Sequence, residues 1–326
     1  MNTFRMVRFQ TLAMTAALIV STPAFAVNTQ IPGYEDGVTR IAQSDTIITE
    51  KTNYEGLPRW TVNKIDEQLY TLRYDHYQSF FFVTSEGVIV SDPNTEAMAV
   101  RMVQEIKKIT EKPIKLVIYS HDHWDHTIGA QAFKDEGATI LGHETTTASM
   151  REMNAGRPTP EALIPDLSWH GDRYVVPMGN GDLKLRYFGK NHGSGMVVYH
   201  FTKRKIIHLA DIISPNRMPA GAMPDMYPSE ILRSLNEMAK LDFDQVISAH
   251  EPWVLFPRSA VDDMAEFYAD MFKQVDQALA KFEPGVAPWI VVPTIKPNPK
   301  YESWYLYKEW WTPVTIRFVI ERLLGW

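Results

Sequence analysis

The stretch YSHDHWDHTIGA, Tyr119 to Ala130, places three histidines and two aspartates in six consecutive positions of a chain that has ten histidines in all. His121 and His123 follow a short β-branched run, Ile114 to Tyr119. In an extended segment an i, i+2 spacing puts both imidazoles on one side, where they share one metal ion. Asp125 and His126 come as the chain turns toward a helical stretch beginning near Thr127, and they serve a second metal beside the first. Imidazole nitrogen with carboxylate oxygen and no thiolate suits Zn²⁺ and tolerates iron or manganese. The chain has no cysteine, so cysteine is excluded as ligand and as nucleophile. The alternative is a polar loop that happens to be rich in histidine. Clustered imidazoles repel one another when protonated, and they have little reason to converge unless a cation holds them.

These residues need a scaffold, and the rest of the sequence supplies one. The chain has 326 residues, 45% of them hydrophobic and 22% charged, a balance that permits a substantial core. Short β-rich runs at 69–73, 78–84 and 87–91 suggest an antiparallel opening. Apolar residues at helical spacing predict a helix over Glu96 to Ile109, followed by a buried strand at 114–119. A second set follows, with strands expected at 183–188, 196–201, 205–209 and 245–248 and a helix near Ser229 to Lys240. Two mixed halves fit one layered α/β domain. A long amphipathic helix is expected over Pro257 to Phe282, and the Trp- and Pro-rich end from Pro284 to Trp326 packs on the domain or forms a homodimer contact.

The N-terminus follows another rule. Arg5 and Arg8, the apolar TLAMTAALIV and the closing Ala24-Phe25-Ala26 give the three regions of a secretory signal in order. Residues 1–26 are therefore expected to be a signal peptide cleaved after Ala26, with a periplasmic or secreted product. Beyond them no apolar run is long enough to span a bilayer, so no stable membrane insertion is expected. The net charge of −6 offers no basic field for nucleic acid. Small molecules are the expected partners.

The pattern H-x-H-x-D-H after a buried strand resembles the signature of the metallo-β-lactamase fold superfamily, and the resemblance runs from about Leu69 to Trp253. It implies a four-layer αββα sandwich over 27–256, with 257–326 as a C-terminal helical extension. It also implies the remaining ligands. GKNHGSGMVVY offers His192 to the first metal, KIIHLADII offers Asp211 as a bridging carboxylate, and QVISAHEPW offers His250 to the second metal. The chain departs from the family's pattern at Ile128-Gly129-Ala130, where two glycines are common, and at Ala249-His250-Glu251, where Gly-His-Gly is common. Neither departure removes a ligand. Some zinc β-lactamases share the Ala-Asp step of LADII without a bridging carboxylate, so Asp211 either bridges or supports from behind.

The resemblance implies two Zn²⁺ ions per chain and a metal-bridging hydroxide, oriented by Asp125, that attacks an ester, a lactone or a related acyl bond. The alternatives are a zinc β-lactamase, an alkyl- or arylsulfatase-like hydrolase, and a mono-iron oxygenase on the same fold. Ser120 and Ser194 read as hydrogen-bond donors beside ligands. Trp124, the methionines and tyrosine of 214–228, Trp253 and Phe256 suggest an apolar mouth for a partly hydrophobic substrate, unless the methionines pack into the core, and Arg217 is the strong cation of that loop. His76, His170, His200 and His208 read as surface or satisfied histidines. His143 ends another expected strand near the same face.

Overall fold

In the strand Tyr77–Val83, Phe80 and Phe82 are buried on one face and Phe81 on the other. A strand apolar on both faces must be covered on both, and this requirement sets the layering. The structure is a computed structural model that describes residues 46–48, 59–155, 162–219, 225–251 and 253–325. The expected signal peptide lies outside the described residues.

The first sheet comprises β1 (Thr46–Ile48), β2 (Trp60–Lys64), β3 (Leu69–Tyr74), β4 (Tyr77–Val83), β5 (Val88–Ser91), β6 (Ile114–Ile118), β7 (Thr139–His143) and β8 (Leu167–Trp169), in that spatial order. It is antiparallel from β1 to β5 and parallel from β5 to β8. Its helices are α1 (Glu96–Ile109), α2 (Trp124–Thr127), α3 (Gln131–Asp135) and α4 (Glu144–Asn154). The second sheet comprises β9 (Arg173–Val175), β10 (Leu183–Tyr187), β11 (Val197–Phe201), β12 (Ile206–His208), β13 (Gln245–Ile247) and β14 (Phe256–Pro257), in the order β14-β13-β12-β11-β10-β9. Only its β12–β13 pair is parallel. Helices α5 (Pro228–Met238), α6 (Ser259–Leu279), α7 (Pro288–Val291) and α8 (Tyr307–Leu324) complete the chain.

Three apolar cores separate four layers. Met98, Met102 and Ile106 of α1 pack with Phe133 and Met150 against the outer face of the first sheet. Phe80, Phe82, Ile89 and Ile118 meet Leu185, Tyr199, Phe201 and Ile247 between the sheets. Val198, Ile207 and Val246 face Leu235 of α5, Met264 and Phe267 of α6, and Trp311 and Phe318 of α8. The αββα sandwich expected from the sequence is the fold observed. The extension buries Trp304, Tyr307, Trp311 and Phe318 in the same core as α5 and α6. Among the described residues no helix is long and apolar enough to cross a membrane.

Local signals placed the elements. α1 has the expected bounds because Thr95 accepts from the Met98 N–H at its start, with Glu96 in the first turn and Lys107 and Lys108 in the last. The expected long helix begins later than predicted, at Ser259, because Phe256–Pro257 pairs with β13 as a short edge strand.

Candidate metal centre

The centre lies past the carboxyl ends of strands from both sheets. His121 follows β6, His123 caps α2, and Asp125 and His126 lie within α2. His192 stands on the turn between β10 and β11, Asp211 follows β12 and His250 follows β13. The structure brings all seven together in two groups. His121, His123, His192 and Asp211 offer ligand atoms within 4.8 Å of one another, and Asp125, His126 and His250 do the same. Asp211 stands between them. Its Oδ2 faces His192 Nε2 at 3.4 Å and His121 Nε2 at 3.7 Å, while its Oδ1 faces His250 Nε2 at 2.8 Å and His126 Nε2 at 3.2 Å. One carboxylate oxygen thus serves each half.

Outer hydrogen bonds fix which ring nitrogen faces the centre. Ser120 Oγ gives its one proton to Asp92 Oδ2 at 2.6 Å, so its 2.8 Å contact with His121 Nδ1 has the ring N–H as donor. That leaves the His121 Nε2 lone pair, which is buried without a hydrogen-bond partner. His126 Nδ1 likewise donates to Asp92 Oδ2 at 3.2 Å, freeing Nε2. His123 Nε2 donates to Asp225 Oδ2 at 2.6 Å, so its Nδ1 turns inward. Carboxylates behind metal-bound imidazoles orient the ring and raise its basicity. Inside the cluster, His123 Nδ1 and His192 Nε2 are 3.1 Å apart and His126 Nε2 and His250 Nε2 are 3.3 Å apart. Facing lone pairs at such distances repel unless a proton or a cation lies between them. The donor set therefore fits two divalent ions with nitrogen and oxygen ligands.

Charge is distributed accordingly. Burial lowers the pKa of His121 well below the ordinary value, helped by His126 and His123. Burial also opposes charge on His126, but the Asp211 and Asp92 carboxylates outweigh it and raise its pKa well above the ordinary value. Asp211 is largely shielded from solvent, which by itself would raise its pKa. His126 and His250 outweigh that effect and hold the carboxyl well below the usual range.

The backbone around the ligands is pinned from several directions. Asn94, at a φ of 51°, donates its N–H to His126 O at 3.2 Å and its side-chain amide to Asp125 O at 3.3 Å. The His192 turn is held on both sides, by Tyr227 N donating to Asn191 O at 3.0 Å and Gly193 N donating to Asp225 O at 3.1 Å. Asp122, inside the histidine motif, accepts from Ser149 Oγ and from Ser194 Oγ at 3.2 Å.

Some expectations hold and others need correction. His76, read as a surface or satisfied histidine, is exposed as expected, at the β3–β4 hairpin tip with its ring 5.9 Å from that of His250. Desolvation by the packed neighbours and the nearby His250 and Arg217 lower its pKa to about 4. Met218, Met226 and Phe256 do not line a mouth, since all three are buried in the core beneath α5 and α6. Met223 lies outside the described residues. Trp124 is 59% exposed, whereas Trp253 packs partly buried against that core. His143 stays out of the cluster: it caps α4, contacts Thr145 and Gly171 O, and stacks on Tyr187 at 3.8 Å. His200 and His208 are buried and bond backbone carbonyls, and His170 pairs with Glu144 at the surface. Arg217 lies 3.8 Å from Glu251, whose pKa burial raises to about 7 against the pull of Arg217 and His250.

Sequence reading missed Asp92 and Asp225. Asp92 follows β5 within SDPN, which reads as a turn, and Asp225 lies in a loop read for its methionines. A strand ending in a buried carboxylate beside the histidine strand was the available signal for Asp92.

Comparison with known proteins identifies the family. The family model described as "Metallo-beta-lactamase superfamily" matches residues 73–250, more than half of the chain. The alpha subunit of 2,4-dinitroanisole O-demethylase from Nocardioides sp. (strain JS1661) is 25% identical over 201 residues, covering 60% of this chain and 59% of that one. The metallo-β-lactamase type 2 of Elizabethkingia meningoseptica is 25% identical over 210 residues, covering 60% and 80%. Among solved structures, a double mutant of the sec-alkyl sulfatase PisA1 superposes with a TM-score of 0.63 at 16% identity, covering 81% of this chain and 50% of that one. The metallo-β-lactamase FIM-1 from Pseudomonas aeruginosa gives 0.57 at 15% identity, covering 70% and 98%. With the family model spanning the ligand-bearing segments and the same fold in solved relatives, the chain is an enzyme that belongs to the metallo-β-lactamase superfamily of metal-dependent hydrolases.

Proposed function

We propose that this enzyme is an exported hydrolase that holds two Zn²⁺ ions and cleaves an ester, a lactone or a related acyl bond of a partly hydrophobic small molecule. The observation that carries the reading is Asp211, with one oxygen toward His121 and His192 and the other toward His126 and His250. A carboxylate shared in this way reduces the repulsion between two dications and sets their spacing. His121, His123 and His192 would hold the first ion, and Asp125, His126 and His250 the second. Such a pair supplies Lewis acidity and a water that ionises near neutral pH.

The chain's own groups do the rest. Asp125, partly exposed and fixed through its carbonyl by Asn94, accepts the proton of the attacking water and orients its lone pair. Asp92, Ser120 and Asp225 keep the ring nitrogens aimed while charge develops. His76 and Tyr77 at the hairpin tip pack against His250 and form one wall of the approach, with Trp124 exposed beside the motif. Export rests on the N-terminal segment, and it is checked by N-terminal sequencing of protein from the envelope fraction, which is expected to begin at Val27.

The test is metal analysis of the purified protein with a turnover screen over esters, lactones, β-lactams, sulfate esters, phosphodiesters and thioesters, with 2,4-dinitroanisole added because a relative is named for it. Two zinc ions per chain and ester or lactone turnover are expected. The second reading, a zinc β-lactamase, is favoured by the 25% identical relative, and preferential β-lactam turnover would establish it. One iron ion and no hydrolysis would overturn both.

A further inference from the structure

The family match ends at residue 250, yet the last helix reaches back to the first metal half-site. Arg317 and Glu321 of α8 are four residues apart and therefore lie on one helix face. Arg317 Nε donates to Met226 O at 2.5 Å, and Glu321 Oε1 accepts from Ser229 N at 2.9 Å. The two side chains grip the segment 226–229 at both ends. That segment is continuous with Asp225, the partner of His123, and Met226 itself pairs with His192 in an antiparallel bridge.

Arg317 is not placed there by packing alone. It is only 7% exposed, its guanidinium carbon lies 5.5 Å from the Tyr227 ring centroid, and its Nη2 has no hydrogen-bond partner among the described residues. Burying a cation with few partners is costly, and an apolar side chain of similar length would fill the same volume without that cost. The hydrogen bond to Met226 O is the contact that only a donor makes. It fixes the strand-like strip against which the His192 turn is built, and with it the carboxylate that sets the His123 tautomer.

We infer that Arg317, assisted by Glu321, is a positioning residue for the first metal half-site, so that the C-terminal extension is part of the metal-binding apparatus. The inference rests on the two-metal reading proposed above. Losing the donor lets segment 225–227 relax, so His192 and the His123–Asp225 pair no longer hold their mutual placement. The second half-site, built from Asp125, His126 and His250, has no contact with this strip among the bonds described and keeps its affinity.

The test loads metal-free full-length protein with Co²⁺ and follows visible absorption and calorimetry, which do not depend on knowing the substrate. Arg317→Met is expected to keep the wild-type circular dichroism, to bind one equivalent as the wild type does, and to bind the other about ten- to a hundredfold more weakly. Arg317→Lys should recover part of the loss. Arg322→Ala, which removes a pair between α8 and Asp276 of α6, is the control and should bind both equivalents normally. Two wild-type affinities in Arg317→Met, or an equal loss in Arg322→Ala, would overturn the inference. Should Arg317→Met not fold, Glu321→Ala decides: a selective weakening of one equivalent supports the clamp and unchanged binding refutes it. Wild-type protein that binds no second equivalent would instead count against the two-metal reading.

Discussion

Asp211 is the residue on which the two half-sites depend together, and Asp211→Asn isolates its charge from its shape. The variant should fold, lose metal preferentially from one half-site, and fall at least about a hundredfold in turnover. Excess zinc should restore only part of the activity. Metal content and ester or lactone turnover measured side by side check this, and a variant with two tight metals and normal rates would demote Asp211 to support. The residues legible in the sequence were those bound by a fixed local spacing, because His121, His123, Asp125 and His126 lie within one turn of chain and so can converge on one centre. Asp92 and Asp225 obey no such spacing. Each acts one bond further out and needs only to arrive behind a ring, from 34 residues away for His126 and 102 for His123.

Between residue and molecule stands the short helix α2, whose placement depends on a glycine. Gly129 donates to Asn94 O at 2.8 Å, and a Cβ built on it would lie 2.6 Å from Thr95 O and 2.8 Å from Pro93 O. Both obstacles are backbone, and Thr95 also caps α1. Gly129→Ala should therefore cost about 1–3 kcal/mol of stability and loosen the Asp125–His126 half-site before the other. Thermal unfolding and stepwise metal affinity measure the two effects, and an unchanged melting temperature would contradict the close approach. Elements with two-ended signals, such as α1, were readable to the residue. The hairpin tip was not, because nothing in YDHYQ shows that β4 delivers His76 to His250 across more than 170 positions of chain.

For the molecule as a whole, Arg204 ties turns of the two sheets together. It sits between β11 and β12, donating to Asp182 and to Asp66 Oδ2 at 2.5 Å, and Asp66 closes the β2–β3 turn by accepting from Gln68 N at 2.7 Å and Leu69 N at 2.8 Å. Burial raises the Asp66 pKa, but Arg204 and the two N–H groups outweigh it and hold it below the ordinary carboxyl value of 3.8. The folded state thus binds the proton less readily than the unfolded chain, so this contribution is complete above the unfolded pKa and is lost as pH falls through the lower folded value. Asp66→Asn should cost about 1 kcal/mol at pH 7, discounted for partial exposure. The gap from wild type should close in acid below the folded pKa, and denaturant titrations at both pH values check it. A related consequence follows from the two-sheet origin of the ligands. His121 to His126 belong to the first sheet's half of the chain and His192, Asp211 and His250 to the second, so the centre cannot exist in either half alone. Its formation is then a late event in refolding: secondary structure in each half can appear first, and tight metal capture must wait for the sheets to dock, so a Co²⁺ signal would time that final step.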